Sequence, residues 1–542
     1  MHRILRNVIV IALSVVVLSS CNSKPDHRKY IPKDASVVLG VNLSALSKKI
    51  AWNMITGSKL FKEMESRMPA GQGKDNMMSG IDKAGIDVLN TFYVYLKTDA
   101  RFSSGMQATA IVPLSDADEW EAYVKKTFPK ADIQQHNKLK VASMDGEMYM
   151  GWDKHVLIVM NPLSSGGQDM AAELDNVFNI SSDNSIKADK NFEALQGAGH
   201  DLSMWVNYAQ IMNTYNDRFA SQSPVAISPT MWKETAFACG FDFVKGKITG
   251  DMAYYTSKGL EDVYKEFGAK NVDNDMVSRL PGKNLDLLMA VHFSPKALRT
   301  MMDSTGMLGL ANAQLQAQGT NVDNILDAFT GDMAFMVSDL SIGANTNPAD
   351  GYQMPFQYNN YCMNYVVKIN KKDNFDKLMS FASAAGLLPV ANGYALPITT
   401  HDTVFVVHNG DYAVFSNKYG SAAGILRGKA DQPLSPALAA DTKAHPFNLF
   451  VDVQEAVSKI DVSKALSTGD MAMFDESKRL LSSVSFSGGE YKNNAMQGHL
   501  EINFVNKDEN TIITLLDYGM RMSQAFQPRR YYDYDTTAKP AL

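Results

Sequence analysis

Apolar and polar positions alternate with a period of two along residues 91–96, 106–112, 155–160, 235–243, 334–337, 362–369, 403–408, 412–416, 481–487 and 496–504, the pattern of strands with one buried face. Turns rather than helices separate most of these segments, which predicts largely antiparallel pairing. His408-Asn409-Gly410-Asp411 is a strong hairpin signal, because Asn-Gly readily takes the positive φ angles of a tight turn. Helical periodicity follows four apolar strands, over 45–55, 208–215, 295–302 and 453–460. The polar residues at those junctions, Asn42, Asn207, His292 and Asp452, fall where a helix cap belongs. The predicted class is α+β, with largely antiparallel sheets packed on one face by helices.

The same pattern recurs at an offset of about 250 residues. Ile31-Pro32 precedes the apolar segment 37–42, and Leu280-Pro281 precedes 287–292. Met204-Trp205-Val206-Asn207 answers to Leu449-Phe450-Val451-Asp452, and Gly250 in Ile248-Thr249-Gly250 to Gly498 in Met496-Gln497-Gly498. Ser115-Asp116-Ala117-Asp118-Glu119-Trp120 resembles Asn370-Lys371-Lys372-Asp373-Asn374-Phe375, and Gly151-Trp152-Asp153-Lys154-His155 stands where the Asn-Gly turn stands later. Several matches in one order predict two homologous halves, 31–265 and 275–527. Residues 259–274 read as the hinge between them, and 528–542, polar and aperiodic, as a disordered tail.

The first thirty residues carry an address. His2, Arg3 and Arg6 precede an apolar run from Val8 to Leu18, which ends in Leu18-Ser19-Ser20-Cys21. The run is about half the roughly 20 residues that a bilayer span needs, so 1–20 read as a cleaved signal peptide. Small residues before the cysteine resemble a bacterial lipobox. On that reading Cys21 carries the lipid and residues 21–30 form a polar tether.

The chain of 542 residues, 45% hydrophobic and 20% charged, is ordinary for a globular protein and too long for a single core. Its formal charge of −6 becomes more negative when Arg3 and Arg6 leave with the signal, which argues against nucleic acid as a partner. The search for chemistry is nearly empty: no nucleophile elbow, zinc-protease motif, phosphate loop, dinucleotide fingerprint or calcium loop occurs. His401 and His408 flank one strand at an odd spacing, so they face opposite ways, and the histidines read as satisfied surface residues. Asp116, Asp118 and Glu119 suit a helix N-terminus better than calcium, and Asp533 and Asp535 are solvated tail charges. Cys239, in an apolar run, reads as a buried thiol, with Cys362 either reduced or its disulfide partner. The 31 methionines, with clusters at Met77-Met78, Met301-Met302 and Met471 with Met473, read first as core filling and second as an adaptable apolar groove.

The lipobox, the opening Ile31-Pro32-Lys33-Asp34-Ala35-Ser36-Val37-Val38 and the strand end Val41-Asn42-Leu43 resemble an uncharacterised Bacteroidetes lipoprotein family, domain-of-unknown-function family 4836. That resemblance implies an envelope lipoprotein and carries over no catalytic residue, cofactor or metal ligand. Lipoproteins of that lineage bound for the cell surface often carry acids just after the lipidated cysteine. Asn22-Ser23-Lys24-Pro25-Asp26-His27 departs from this, so the expected place is the outer membrane, facing the periplasm. The expected function is non-enzymatic binding or scaffolding with an envelope protein as partner. The alternatives are a carrier of an apolar ligand such as lipid and, behind it, an enzyme with a dispersed site.

Overall fold

The computed structural model describes residues 26–50, 83–98, 106–144, 148–161, 169–219, 232–344, 356–384, 387–390, 392–398, 403–461 and 468–525. Cys21, the Met77-Met78 pair, His401 and the tail with Asp533 and Asp535 lie outside these residues. The described chain is mixed α+β and falls into two compact units, residues 1–44 with 69–197 and residues 45–68 with 198–542.

Seven strands build the first unit: β1 (Val37–Asn42), β2 (Thr91–Thr98), β3 (Met106–Pro113), β4 (Asp132–His136), β5 (Leu139–Met144), β6 (Met148–Trp152) and β7 (Val156–Asn161). They pair antiparallel in the order β1-β2-β3-β7-β6-β5-β4. The helix Ala117–Thr127 presents Trp120 and Val124 to Ala142, Met150, Trp152 and Leu157, which form one buried cluster. Asp116 starts this helix by accepting from the amides of Asp118 and Glu119.

The polar span expected to be a tether is part of this unit from Asp26 onward. Asp26 caps a 3-10 helix, His27–Tyr30, whose His27 and Tyr30 are buried. Ion pairs from Asp26 to Arg28 and Lys187, and from Arg28 to Glu193, hold this turn in place. One turn of 3-10 helix is too short to leave a periodic signal, which is why it is invisible in the sequence pattern.

The second unit holds β8 (Leu202–Val206), β9 (Ala236–Val244), β10 (Lys247–Tyr255), β11 (Leu285–His292), β12 (Phe329–Ala344), β13 (Phe356–Ile369), β14 (Leu388–Val390), β15 (Gly393–Pro397), β16 (Thr403–His408), β17 (Tyr412–Ser416), β18 (Phe447–Asp452), β19 (Ile460–Asp461), β20 (Leu481–Lys492) and β21 (Ala495–Phe504). One antiparallel run reads β8-β9-β10-β21-β20-β18-β11-β12-β13-β17-β16-β15-β14. Short β19 joins β12 in parallel.

The seven strands from β11 to β17 pair in the same order as the seven from β1 to β7. Smaller features follow suit: Pro32 bridges Ser185 in the first unit, and Pro281 bridges Pro433 in the second. The compact units nonetheless do not coincide with the spans 31–265 and 275–527, because β10 pairs along its full length with β21. Nor is 259–274 a hinge loop. It holds the 3-10 turn Lys258–Leu260, the helix Glu261–Phe267 and the start of the helix Asn274–Arg279, with Leu260, Val263, Val272 and Met276 buried.

In the middle of the second unit both sheet faces are covered, rather than one. Val366 and Val414 enter one cluster with Leu288 and Met336, beneath Met276 and Val277 of the helix Asn274–Arg279 and Ala422 and Ile425 of the helix Tyr419–Arg427. Their neighbours Val367 and Ala413 enter another, with Phe375 of the helix Lys372–Ala384. Alternation along the strands divides the two.

Candidate functional site

A cleft of the second unit lies where β11 ends and the helix Pro295–Ser304 begins. Val291-His292-Phe293-Ser294-Pro295 dictates that junction locally: Ser294 accepts from the Ala297 amide as the helix cap, and Pro295 supplies a preset φ at the first helical position. Opposite, Gly331 takes φ +98° and brings β12 close enough that a Cβ there would stand 2.3 Å from the Phe293 carbonyl oxygen. That approach sets Asp332 directly across from His292.

His292 is 7% exposed, and its Nδ1 lies 3.0 Å from Asp332 Oδ1. The carboxylate is held in turn by the Thr330 hydroxyl on Oδ2 and by the Asp273 amide on Oδ1. With Asp332 accepting from Nδ1–H, the tautomer is fixed and Nε2 is left as the second functional atom. Nε2 takes no hydrogen bond from the described residues, and His292 lines a cleft of about 640 Å³.

The rest of the lining is charged and polar. Glu266 accepts from Ser294 at 3.3 Å and pairs with Lys296 at 3.4 Å. Asp323 pairs with Arg299 at 2.6 Å, and Asp327 with Lys371 at 2.6 Å. Lys270, also on the lining, pairs with no described carboxylate. No hydroxyl or thiol of the described residues is hydrogen-bonded to His292, so its arrangement lacks the bonded nucleophile of a catalytic triad. The cleft is of a size to hold a small polar molecule.

Behind it runs a second charged network. Asp273 accepts from the Lys368 ammonium at 2.6 Å and from the Tyr412 hydroxyl at 3.1 Å, and the same hydroxyl reaches Asp275 at 3.0 Å. Burial would raise the Asp273 carboxyl, but the Lys368 hydrogen bond, the Met276 amide and the Tyr412 hydroxyl outweigh it and hold it down. Arg279 lies 4.5 Å from the Tyr412 ring centroid and pairs with Asp275. Burial, then the two aspartates, push the Tyr412 phenol well up.

Of the four junction residues, Asn207 and Asp452 do cap, accepting from the amides of Gln210 and Glu455. His292 does not, since Ser294 has that role. Asn42 is followed directly by the helix Leu43–Lys49. The histidines are less superficial than expected: His27 and His292 are buried, and His408 meets Phe375 edge-on at 5.3 Å. Cys239 and Cys362 are buried free thiols, and burial pushes Cys239 up to about 12, which keeps it unreactive. Met301 packs with Leu260, Val263 and Ala297, a filling role. No group of three potential metal ligands occurs among the described residues. The pairing of His292 with Asp332 escapes the sequence pattern, because the alternation begins at Ala334 whereas the strand runs from Phe329 and takes in Asp332.

A profile of the family described as a domain of unknown function, DUF4836, matches residues 27–415. No curated protein matches the sequence. Solved structures similar to this chain include crystal form III of TP0453, at 9% identity and a TM-score of 0.29, covering 46% of this chain and 90% of its own. Crystal form I of the same protein gives 9%, 0.26, 44% and 81%. Likeness at this level bears on neither fold nor activity.

Proposed function

The chain belongs to the DUF4836 family, and from that premise we propose that it is a lipid-anchored envelope protein that binds a partner or ligand and performs no chemistry. The cleft at His292 carries the reading. Its acids are each tied to a neighbouring cation and its histidine is fixed by Asp332, an arrangement suited to holding a polar molecule in one orientation. The identical strand order of β1–β7 and β11–β17 supports descent of the body from two homologous halves. The His292–Asp332 pair stands in the second set of strands, whereas Asn42 and Thr91 stand opposite each other at the like place in the first. Cys21 supplies the anchor, on the outer membrane and facing the periplasm.

A photo-crosslinking residue at Lys296, in the full-length protein in its native envelope, tests this. The expected result is a discrete crosslinked species, absent when the same residue replaces Tyr215. Identical crosslinking patterns at the two positions would sink the proposal. A second reading, a carrier of an apolar ligand, is favoured by the helix Met307–Gln316, none of whose residues is buried and which exposes Met307 and Leu310. Native mass spectrometry of a soluble Cys21→Ala form would show bound lipid if that reading holds.

A further inference from the structure

We infer that the His292 cleft recognises an oxyanion, a carboxylate or phosphate borne by a small polar ligand, gathered by His292 Nε2, the N-terminal end of the helix Pro295–Ser304 and the Lys270 ammonium. This rests on the cleft being the binding site proposed above.

Charge pairing gives the sign of the ligand. Glu266, Asp323 and Asp327 each have a cation of their own in Lys296, Arg299 and Lys371, so the acids of the lining are already neutralised. Lys270 is left over, and it lines the cleft without a described partner. The helix of ten residues turns its positive end to the same place: Ser294 satisfies the Ala297 amide, whereas the Lys296 amide has no acceptor among the described residues.

The independent observation is His292 itself. A side chain nine-tenths buried, with one ring nitrogen locked by a carboxylate that is itself doubly held, leaves its other nitrogen unengaged on the cleft wall. Placed on the wall of the cleft, that nitrogen is within reach of a ligand entering it. A carboxylate or phosphate oxygen at Nε2 would accept from the ring when both nitrogens carry a proton, and its remaining oxygens would face the Lys296 amide and Lys270. A neutral or cationic ligand would leave Lys270 and the helix end without a counter-charge.

The test is isothermal titration of the purified full-length chain in detergent with inorganic phosphate and, separately, with acetate. Saturable binding of either probe is expected, weakened about tenfold by His292→Gln and by the surface change Lys270→Glu, and unaffected by Lys258→Glu. Binding of phosphate alone assigns a phosphate-bearing ligand, and of acetate alone a carboxylate. No saturable heat with either probe, or binding indifferent to Lys270→Glu and His292→Gln, overturns the inference. Because Lys270 is exposed, its variant reports even if His292→Gln does not fold. Crosslinking from Lys296 that persists when neither anion binds would remove the oxyanion and leave the binding function standing.

Discussion

His200 lies flat against Gly240, where any Cβ would come within 2.0 Å of the imidazole ring. The ring is fixed there because Nδ1 meets Asp242 at 2.7 Å, and Asp242 also accepts from the Asp201 amide. Near the far end of the chain His445 Nδ1 meets Glu490 at 2.5 Å, so a histidine bonded to a carboxylate recurs beside another strand pair. Charge is also decisive at Asp26. Burial alone would raise its carboxyl, but hydrogen bonds from Arg28 and Lys187 outweigh burial and hold it at about 2, below the ordinary 3.8. A carboxyl depressed on folding contributes stability that is present above about pH 4 and disappears as pH falls toward 2. Asp26→Asn should therefore cost about 1–2 kcal/mol in urea unfolding at pH 7, a figure reduced for the partial exposure of the pair. The gap between variant and wild type should narrow as pH is lowered from 5 to 3. A gap that stays constant over that range would show that the ion pairs do not supply the stability.

Two turns show how far local sequence reaches. Asn409 donates its amide to the Tyr412 carbonyl, and its side chain accepts from the amides of Asp411 and Tyr412. Asp153 does the same toward Val156, accepting from His155 and Val156. The hairpin at Asn409-Gly410 was legible, although only Gly410 takes a positive φ, +96°, so glycine occupies the first central position rather than sharing the twist with asparagine. Asn409→Ala and Asp153→Ala should each cost about 1 kcal/mol, read as a lowered urea midpoint with unchanged slope. Equal stability of Asp153→Ala and wild type would deny the side chain its role in the turn. Strands and caps were legible because period-two alternation and cap chemistry act over a few residues. The cleft was not, because it depends on register: His292 meets Asp332 only through the pairing of β11 with β12, and Glu266 comes from a segment that reads as linker. The ordered turn at His27–Tyr30 was likewise hidden, since its hold on the body comes from Lys187 and Glu193, far along the chain.

For the whole molecule, the turn capped by Asp26 lies a short way along the chain from the proposed anchor. Only Asn22, Ser23, Lys24 and Pro25 separate Cys21 from Asp26, which caps the first described turn, and four such residues can reach at most about 17 Å. A lipid on Cys21 would therefore keep Asp26 and the turn it caps within about that distance of the headgroups. A formal charge of −6 offers no attraction to an anionic surface, and no helix among the described residues is long and apolar enough to cross a membrane; on the proposed anchoring the acyl chains carry the retention. Each buried methylene contributes roughly 0.8 kcal/mol, which makes one chain marginal and several together nearly permanent. Cys21→Ser should then move the protein out of the detergent-extractable fraction processed at residue 21, leaving unprocessed precursor. A spin label on a Lys29→Cys form that keeps Cys21 should be broadened by paramagnetic headgroups, because Lys29 lies on the exposed side of the first turn. Wild-type protein recovered soluble, with an unmodified N-terminus elsewhere than Cys21, would remove the anchor. Wild-type protein in the membrane with an unbroadened label at Lys29 would keep the anchor and deny the close approach.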